Sequence, residues 1–163
     1  MKIINKDITT VEKGIIVSQV NCQSIQGSGL AKIIRDKWPT VYDEYINYIQ
    51  DVKFHFFLPH DHMYEAPKWT TEKLLGHINI VEVNKDLYVC NLFGQDTYGR
   101  EKKQYTSYEA WDKALPKLKK YSEKVGLPVY FPYLCGCDRG GANFTIISQM
   151  ILENLPDAII CKI

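Results

Sequence analysis

Val17-Ser-Gln-Val-Asn-Cys-Gln-Ser-Ile-Gln-Gly-Ser-Gly-Leu-Ala-Lys-Ile-Ile34 changes periodicity halfway along and places its glycines at the change. Before it, Gly14-Ile-Ile-Val17 reads as a buried strand, and after it Leu30, Ala31, Ile33, Ile34 and Trp38 recur at helical spacing. Gly27-Ser28-Gly29 is therefore expected to be a turn that opens a helix. Such a turn leaves backbone N–H groups pointing outward with the positive end of the helix dipole behind them, which suits an anion and above all a phosphate. A tight strand-to-helix turn with no ligand would look the same in these residues alone. Asn21, Gln23, Ser24 and Gln26 favour the ligand, because polar side chains at the carboxyl end of a buried strand are where an open α/β sheet meets what it binds. The stretch is neither the dinucleotide fingerprint, which needs a third glycine, nor a P-loop, which ends in Gly-Lys-Ser/Thr.

Composition narrows the function classes. The 163 residues suit one domain with a core of its own, and 20 basic against 19 acidic residues give a net charge of +1. That balance supplies no field for general nucleic-acid or membrane binding, so an anionic ligand has to be held by local donors. The five cysteines form no C-x-x-C pair, nothing at Met1-Lys-Ile-Ile resembles a signal peptide, and no apolar run spans a bilayer. The expected compartment is a reducing cytoplasm.

In chain order, Lys2–Asn5 and Ile15–Val20 read as strands around a polar turn. Asp7 in that turn is either an Asx-turn former or an acceptor for an exocyclic amine. Pro39 should end the first helix at Trp38, and a second helix should restart at Thr40 with Tyr42, Tyr45, Ile46 and Ile49 on one face. Residues 51–73 show no sustained period. They hold His60-Asp61-His62, which matches no strong zinc pattern, so a surface hairpin or lid is expected there rather than a metal site. Leu74–Val83 and Asp86–Leu92 should be antiparallel strands, and Thr106-Ser-Tyr-Glu109 a capping box for a helix containing Pro116. Leu127–Pro132 is a further strand. A second glycine loop, Tyr133–Phe144, leads into a helix through Ile146, Ile147, Met150 and Ile151 and a last strand at Ala158–Ile163. Five of the ten glycines lie within 27–29 and 136–141, so both loops are expected to meet around one ligand.

These segments together resemble the macro domain family, the ADP-ribose-binding fold, and within it the ADP-ribose 1''-phosphate phosphatases of bacterial and phage type. The resemblance rests on Lys6-Asp-Ile-Thr9, on Val20-Asn-Cys-Gln23 with Gly27-Ser-Gly-Leu-Ala31, and on Asn91-Leu-Phe-Gly-Gln95 with Tyr98-Gly-Arg100 and Tyr105–Glu109. Its fourth part is Pro132-Tyr133 with Gly136-Cys137 and Gly140-Gly-Ala-Asn-Phe144. It implies an α/β fold, a three-layer α/β/α sandwich around a mixed, roughly six-stranded sheet, in one domain over 1–163 with a probable insertion at 51–73.

By the same resemblance the ligand is ADP-ribose or a derivative, free or on an ADP-ribosylated macromolecule. Asp7 and Ile8 would meet adenine, Asn21 would face the distal ribose, and Cys22 and Gln23 would be among the ligand-binding residues. Gly27, Ser28, Gly29 and Leu30 would cradle the diphosphate from one side and Gly140, Gly141 and Ala142 from the other, with Gly136, Cys137, Asp138, Arg139, Asn143 and Phe144 also among the ligand-binding residues. No metal or cofactor is implied.

The chain departs from the phosphatase pattern in the second loop. Asn143 stands where the family motif has an aspartate, and Phe144 replaces a tryptophan. An amide takes no proton from water near neutral pH, which leaves Asp138 as the nearby base beside Asn21 and Asn143 in a catalytic set. Three functions are compatible with this: a hydrolase removing a 1''-phosphate or an ester-linked ADP-ribose, a binding module that reads or sequesters ADP-ribose derivatives, and an interaction protein acting through 51–73. The glycines kept in both loops argue against the third.

Overall fold

The computed structural model describes residues 1–58 and 68–163. Six strands, β1 (Lys2–Asn5), β2 (Gly14–Val20), β3 (Ile78–Asn84), β4 (Leu87–Phe93), β5 (Val129–Pro132) and β6 (Ile159–Lys162), form one sheet in the order β1-β6-β5-β2-β4-β3. All pairings are parallel except β3 with β4. The central strand β2 is apolar on both faces because both are covered, as a parallel sheet requires.

Four helices, α1 (Gly29–Lys37), α2 (Pro39–Phe56), α3 (Tyr108–Val125) and α4 (Phe144–Asn154), supply the two outer layers. Ile15, Val17 and Leu92 share a core with Trp111, Leu115 and Leu118 of α3 and Ile147 and Ile151 of α4. The alternate residues Ile16 and Val89 pack with Ile34 of α1 and Val41 of α2. Beside them Tyr45 of α2 stacks on Phe93 with ring centroids 5.6 Å apart. The expected α/β/α sandwich with a mixed six-stranded sheet is therefore the observed architecture.

Four local expectations are corrected. The second helix runs through Asp51 to Phe56, so the aperiodic stretch begins later than the sequence suggests. Residues 74–77 are not strand: Thr71–Leu74 is a 3-10 turn and Gly76 takes φ +85°, which breaks an extended path before β3 begins at Ile78. Asp86 is not the first residue of β4 but the second of the Lys85-Asp86 turn, at φ +58°, and the strand begins at Leu87. Finally, the cap of α3 is Ser107, whose hydroxyl accepts from the Ala110 amide at 3.1 Å, while Thr106 is turned inward and Glu109 pairs with Lys113. Pro116 sits within one unbroken helix. His60-Asp61-His62 and the hairpin or lid expected around them lie mainly outside the described residues.

Candidate functional site

Parallel strands end together, so the segments after β1, β2 and β5 gather at one edge of the sheet. A cleft of about 470 Å³ opens there, within the size range of small-molecule sites. Residues 25–31 form one wall and residues 132–140 the other, with Ser18, Gln19 and Asn21 at the β2 end and Gln95, Tyr98 and Arg100 closing it beyond β4.

The first wall is held by its own side chains. The Asn21 carboxamide donates to the Ile25 carbonyl at 2.8 Å and accepts from the Gln23 amide at 2.8 Å and the Tyr45 hydroxyl at 3.1 Å. Gln23 donates to the backbone and side chain of Asp96, both at 3.0 Å. Gln26 is buried and donates to Asn91 at 3.4 Å. The polar run thus shapes the loop and leaves the backbone of 27–29 facing the cleft. Ser28 caps α1 without a side-chain bond to it, and the first turn carries no acidic residue, so its N–H groups and dipole are available to an anion.

The second wall rests on a polar knot beneath it. The Thr106 hydroxyl donates to the Gly136 carbonyl at 2.7 Å and accepts from Gln19 Nε2 at 2.9 Å. Gln19 Nε2 also reaches Gln95 Oε1 at 2.6 Å, and Gln19 Oε1 accepts from Trp111 Nε1 at 2.7 Å. A Cβ on Gly140 would run into the Thr106 hydroxyl and the Gly136 carbonyl, and one on Gly141 would meet the Lys103 carbonyl. These two glycines are therefore explained by close packing, whereas Gly29, at φ +61°, has nothing within 4 Å of where its Cβ would project. Glycine at 140 and 141 is thus no argument for a ligand, and glycine at 29 answers to its left-handed backbone, which leaves the space in front of it open.

Among the residues anticipated from sequence, Asn21, Gly27, Ser28, Gly29, Leu30, Gly136, Cys137, Asp138, Arg139 and Gly140 line the cleft. Cys22, Gln23, Gly141, Ala142, Asn143 and Phe144 do not line it. Asn143 caps α4, its side chain accepting from the Thr145 amide at 2.8 Å, and Phe144 packs edge-on to Tyr133 at 5.0 Å. Asp7 accepts from the Thr9 amide at 2.9 Å and the Thr9 hydroxyl at 2.7 Å, an Asx-turn that holds its carboxyl below the usual carboxylate range. Ile8 is buried. Neither residue lines the cleft, although both follow β1 on the same edge of the sheet.

The cleft is also lined by Ser18, Gln19, Val20, Ile25, Gln26, Ala31, Gln95, Tyr98, Gly99, Arg100 and the stretch Pro132–Cys135, none of them among the expected ligand contacts, although most stand in the motifs and loops read from the sequence. Gln19 carried a legible sign, since an amide in an otherwise apolar strand has to find buried partners. Burial raises the Cys137 thiol to about 11 and the Cys135 thiol to about 12, so neither is a thiolate nucleophile at neutral pH. All five cysteines are unpaired, no group of side chains among the described residues is arranged to hold a metal ion, and no helix among them is long and apolar enough to cross a membrane.

No protein-family model matches the sequence, and no curated protein does. Solved structures do match. A Bacteroides thetaiotaomicron protein of unknown function superposes with TM-score 0.79 at 21% identity, covering 99% of this chain and 96% of that one. A macrodomain protein from Streptomyces coelicolor gives 0.72 at 19% identity, covering 99% and 97%. Thermosipho africanus DarTG, solved in complex with ADP-ribose, gives 0.68 at 15% identity, covering 98% of this chain and 40% of that one. The chain has the macrodomain fold.

Proposed function

We propose that this chain is a member of the macro domain family and binds ADP-ribose or a derivative of it in the cleft at the carboxyl ends of β2 and β5. The observation that carries the reading is the first wall: the open backbone of 27–29, with a left-handed Gly29 and the uncapped N-terminus of α1, faces a second loop across a cleft of nucleotide size. A solved structure of the same fold holding ADP-ribose supports it. The diphosphate lies between the two loops, the adenosine extends toward Asp7 and Ile8, and the distal ribose meets the Asn21 side. The domain spans 1–163 with 51–73 as an insertion, and it works in the cytoplasm on free ADP-ribose derivatives or on ADP-ribosylated macromolecules.

A hydrolytic version of this function is favoured by one residue. Asp138 lines the cleft with a carboxylate that no salt bridge occupies among the described residues, whereas Asn143 is spent on a helix cap. A carboxylate so placed is able to orient or deprotonate water for attack on a 1''-phosphate or an ester at the distal ribose, and general-base assistance is worth about 10²–10⁴ in rate. Following free phosphate from ADP-ribose 1''-phosphate tests it: Asp138→Asn should lose that factor while ADP-ribose affinity changes little. Turnover unaffected by Asp138→Asn contradicts a second-loop base, and binding without turnover makes the protein a reader or sequestering module.

A further inference from the structure

Asp96 does not line the cleft, yet it ties three separate segments together at the Asn21 end. Its backbone carbonyl accepts from the Cys22 amide and from Gln23 Nε2, both at 3.0 Å. Its carboxylate Oδ1 accepts from Gln23 Nε2 at 3.0 Å and from the Thr71 hydroxyl at 2.7 Å. Gln23 Nε2 also reaches Thr71 Oγ1, at 3.1 Å. No lysine or arginine pairs with this carboxylate among the described residues, so its partners are neutral donors with defined directions.

Each tie leads somewhere. Thr71 opens a turn that is anchored in the core, since Leu74 is fully buried in one cluster with Tyr45 and Phe93, and the Gly76 amide donates to the Phe93 carbonyl at 3.0 Å. Asp96 therefore rests on a fixed point, whereas Thr97, Tyr98, Gly99 and Arg100 beyond it are exposed. On the other side the Gln23 amide donates to Asn21 Oδ1 at 2.8 Å. Asn21 Nδ2 uses one hydrogen on the Ile25 carbonyl, and its second has no acceptor among the described residues, in a side chain that lines the cleft. The aim of that remaining N–H depends on Gln23, and Gln23 depends on Asp96 and Thr71.

We propose that Asp96 is a positioning residue for the distal-ribose end of the cleft. Braced by Thr71, it holds Gln23 and through it the Asn21 carboxamide, and it fixes the start of the loop that carries Tyr98; it touches no ligand itself. The inference rests on the reading of the main cleft as an ADP-ribose site and deepens it.

Calorimetric titration of the full chain with ADP-ribose and with ADP tests it, because ADP carries the adenosine and the diphosphate but no distal ribose. Wild type should bind ADP-ribose more tightly than ADP. In Asp96→Ala that preference should fall about tenfold with ADP affinity little changed, and in Thr71→Val it should fall several-fold. Asp96→Asn keeps an acceptor oxygen for both donors and should retain most of the preference. A residue that only stabilised the fold would lower the melting temperature of Asp96→Ala and leave the ratio of the two affinities as in wild type. That result, or a wild type that does not distinguish the two ligands, overturns the inference while leaving the main-cleft reading intact. Should Asp96→Ala fail to fold, Thr71→Val decides by the same ratio. A wild type that binds neither nucleotide overturns both readings together.

Discussion

Gly29 and Gly140 sit on opposite walls of the cleft and lack a Cβ for opposite reasons. At Gly29 the backbone is left-handed and the space beyond it is empty; at Gly140 the space is taken by Thr106 and the Gly136 carbonyl. Substitutions should separate the two. Gly29→Glu costs about 1–2 kcal/mol for placing an L-residue at positive φ, and it also puts a carboxylate at the N-terminus of α1, the position proposed for the diphosphate. It should fold and fail to bind ADP-ribose. Gly140→Ala should instead cost about 1–3 kcal/mol of stability through overpacking, and by pushing on the Thr106 hydroxyl and the Gly136 carbonyl it should weaken binding several-fold rather than abolish it. Denaturant midpoints and calorimetric titrations of both variants check this, and normal binding by Gly29→Glu would return residues 27–29 to a plain turn.

Among the elements, the start of α3 joins fold and site most closely. Ser107→Ala removes a helix cap and should cost about 1 kcal/mol without touching the ligand. Thr106→Val keeps the shape but leaves the Gly136 carbonyl with the Ala142 amide as its remaining donor and removes one acceptor from Gln19, two lost hydrogen bonds worth about 1–3 kcal/mol together. It should also loosen the 136–140 wall and weaken ADP-ribose binding several-fold. Equal effects of the two variants on binding would mean that the knot does not hold the wall. The sequence reading put the cap on Thr106 because Thr and Ser satisfy the same local rule. What separates them are partners 30 and 87 residues away, Gly136 and Gln19, which no local pattern displays. By contrast β2, α1 and the antiparallel β3–β4 pair were legible, since burial on both faces, a glycine-marked change of period and a short polar turn are local signs. The start of β3 was not, because the left-handed Gly76 lies inside an apolar run. The polar run 21–26 was legible as site-forming but not in its role, as its amides shape the loop from within.

For the molecule as a whole, acid stability should report a residue remote from the cleft. His77 is half-buried, its Nδ1 lies 2.8 Å from the Tyr48 hydroxyl, and burial followed by the nearby Lys117 charge lowers its pKa below the ordinary 6.5. Between that lowered value and 6.5 the unfolded chain binds more protons, so the contribution of His77 is complete above about pH 6.5 and is lost as the pH falls through the folded value. The melting temperature should therefore drop more between pH 7 and pH 5 in wild type than in His77→Gln; parallel profiles would contradict this. The cleft itself is tested most directly by ADP-ribose. At a concentration ~100 times the dissociation constant, binding to the native state adds about 2.7 kcal/mol, which for a domain of this size raises the melting temperature by roughly 5–10 °C. AMP, which lacks the second half of the diphosphate-linked ligand, should give a much smaller rise at the same concentration. Thermal unfolding of the wild-type chain with and without millimolar ADP-ribose is the measurement: the account predicts that rise, and an unchanged melting temperature would contradict it.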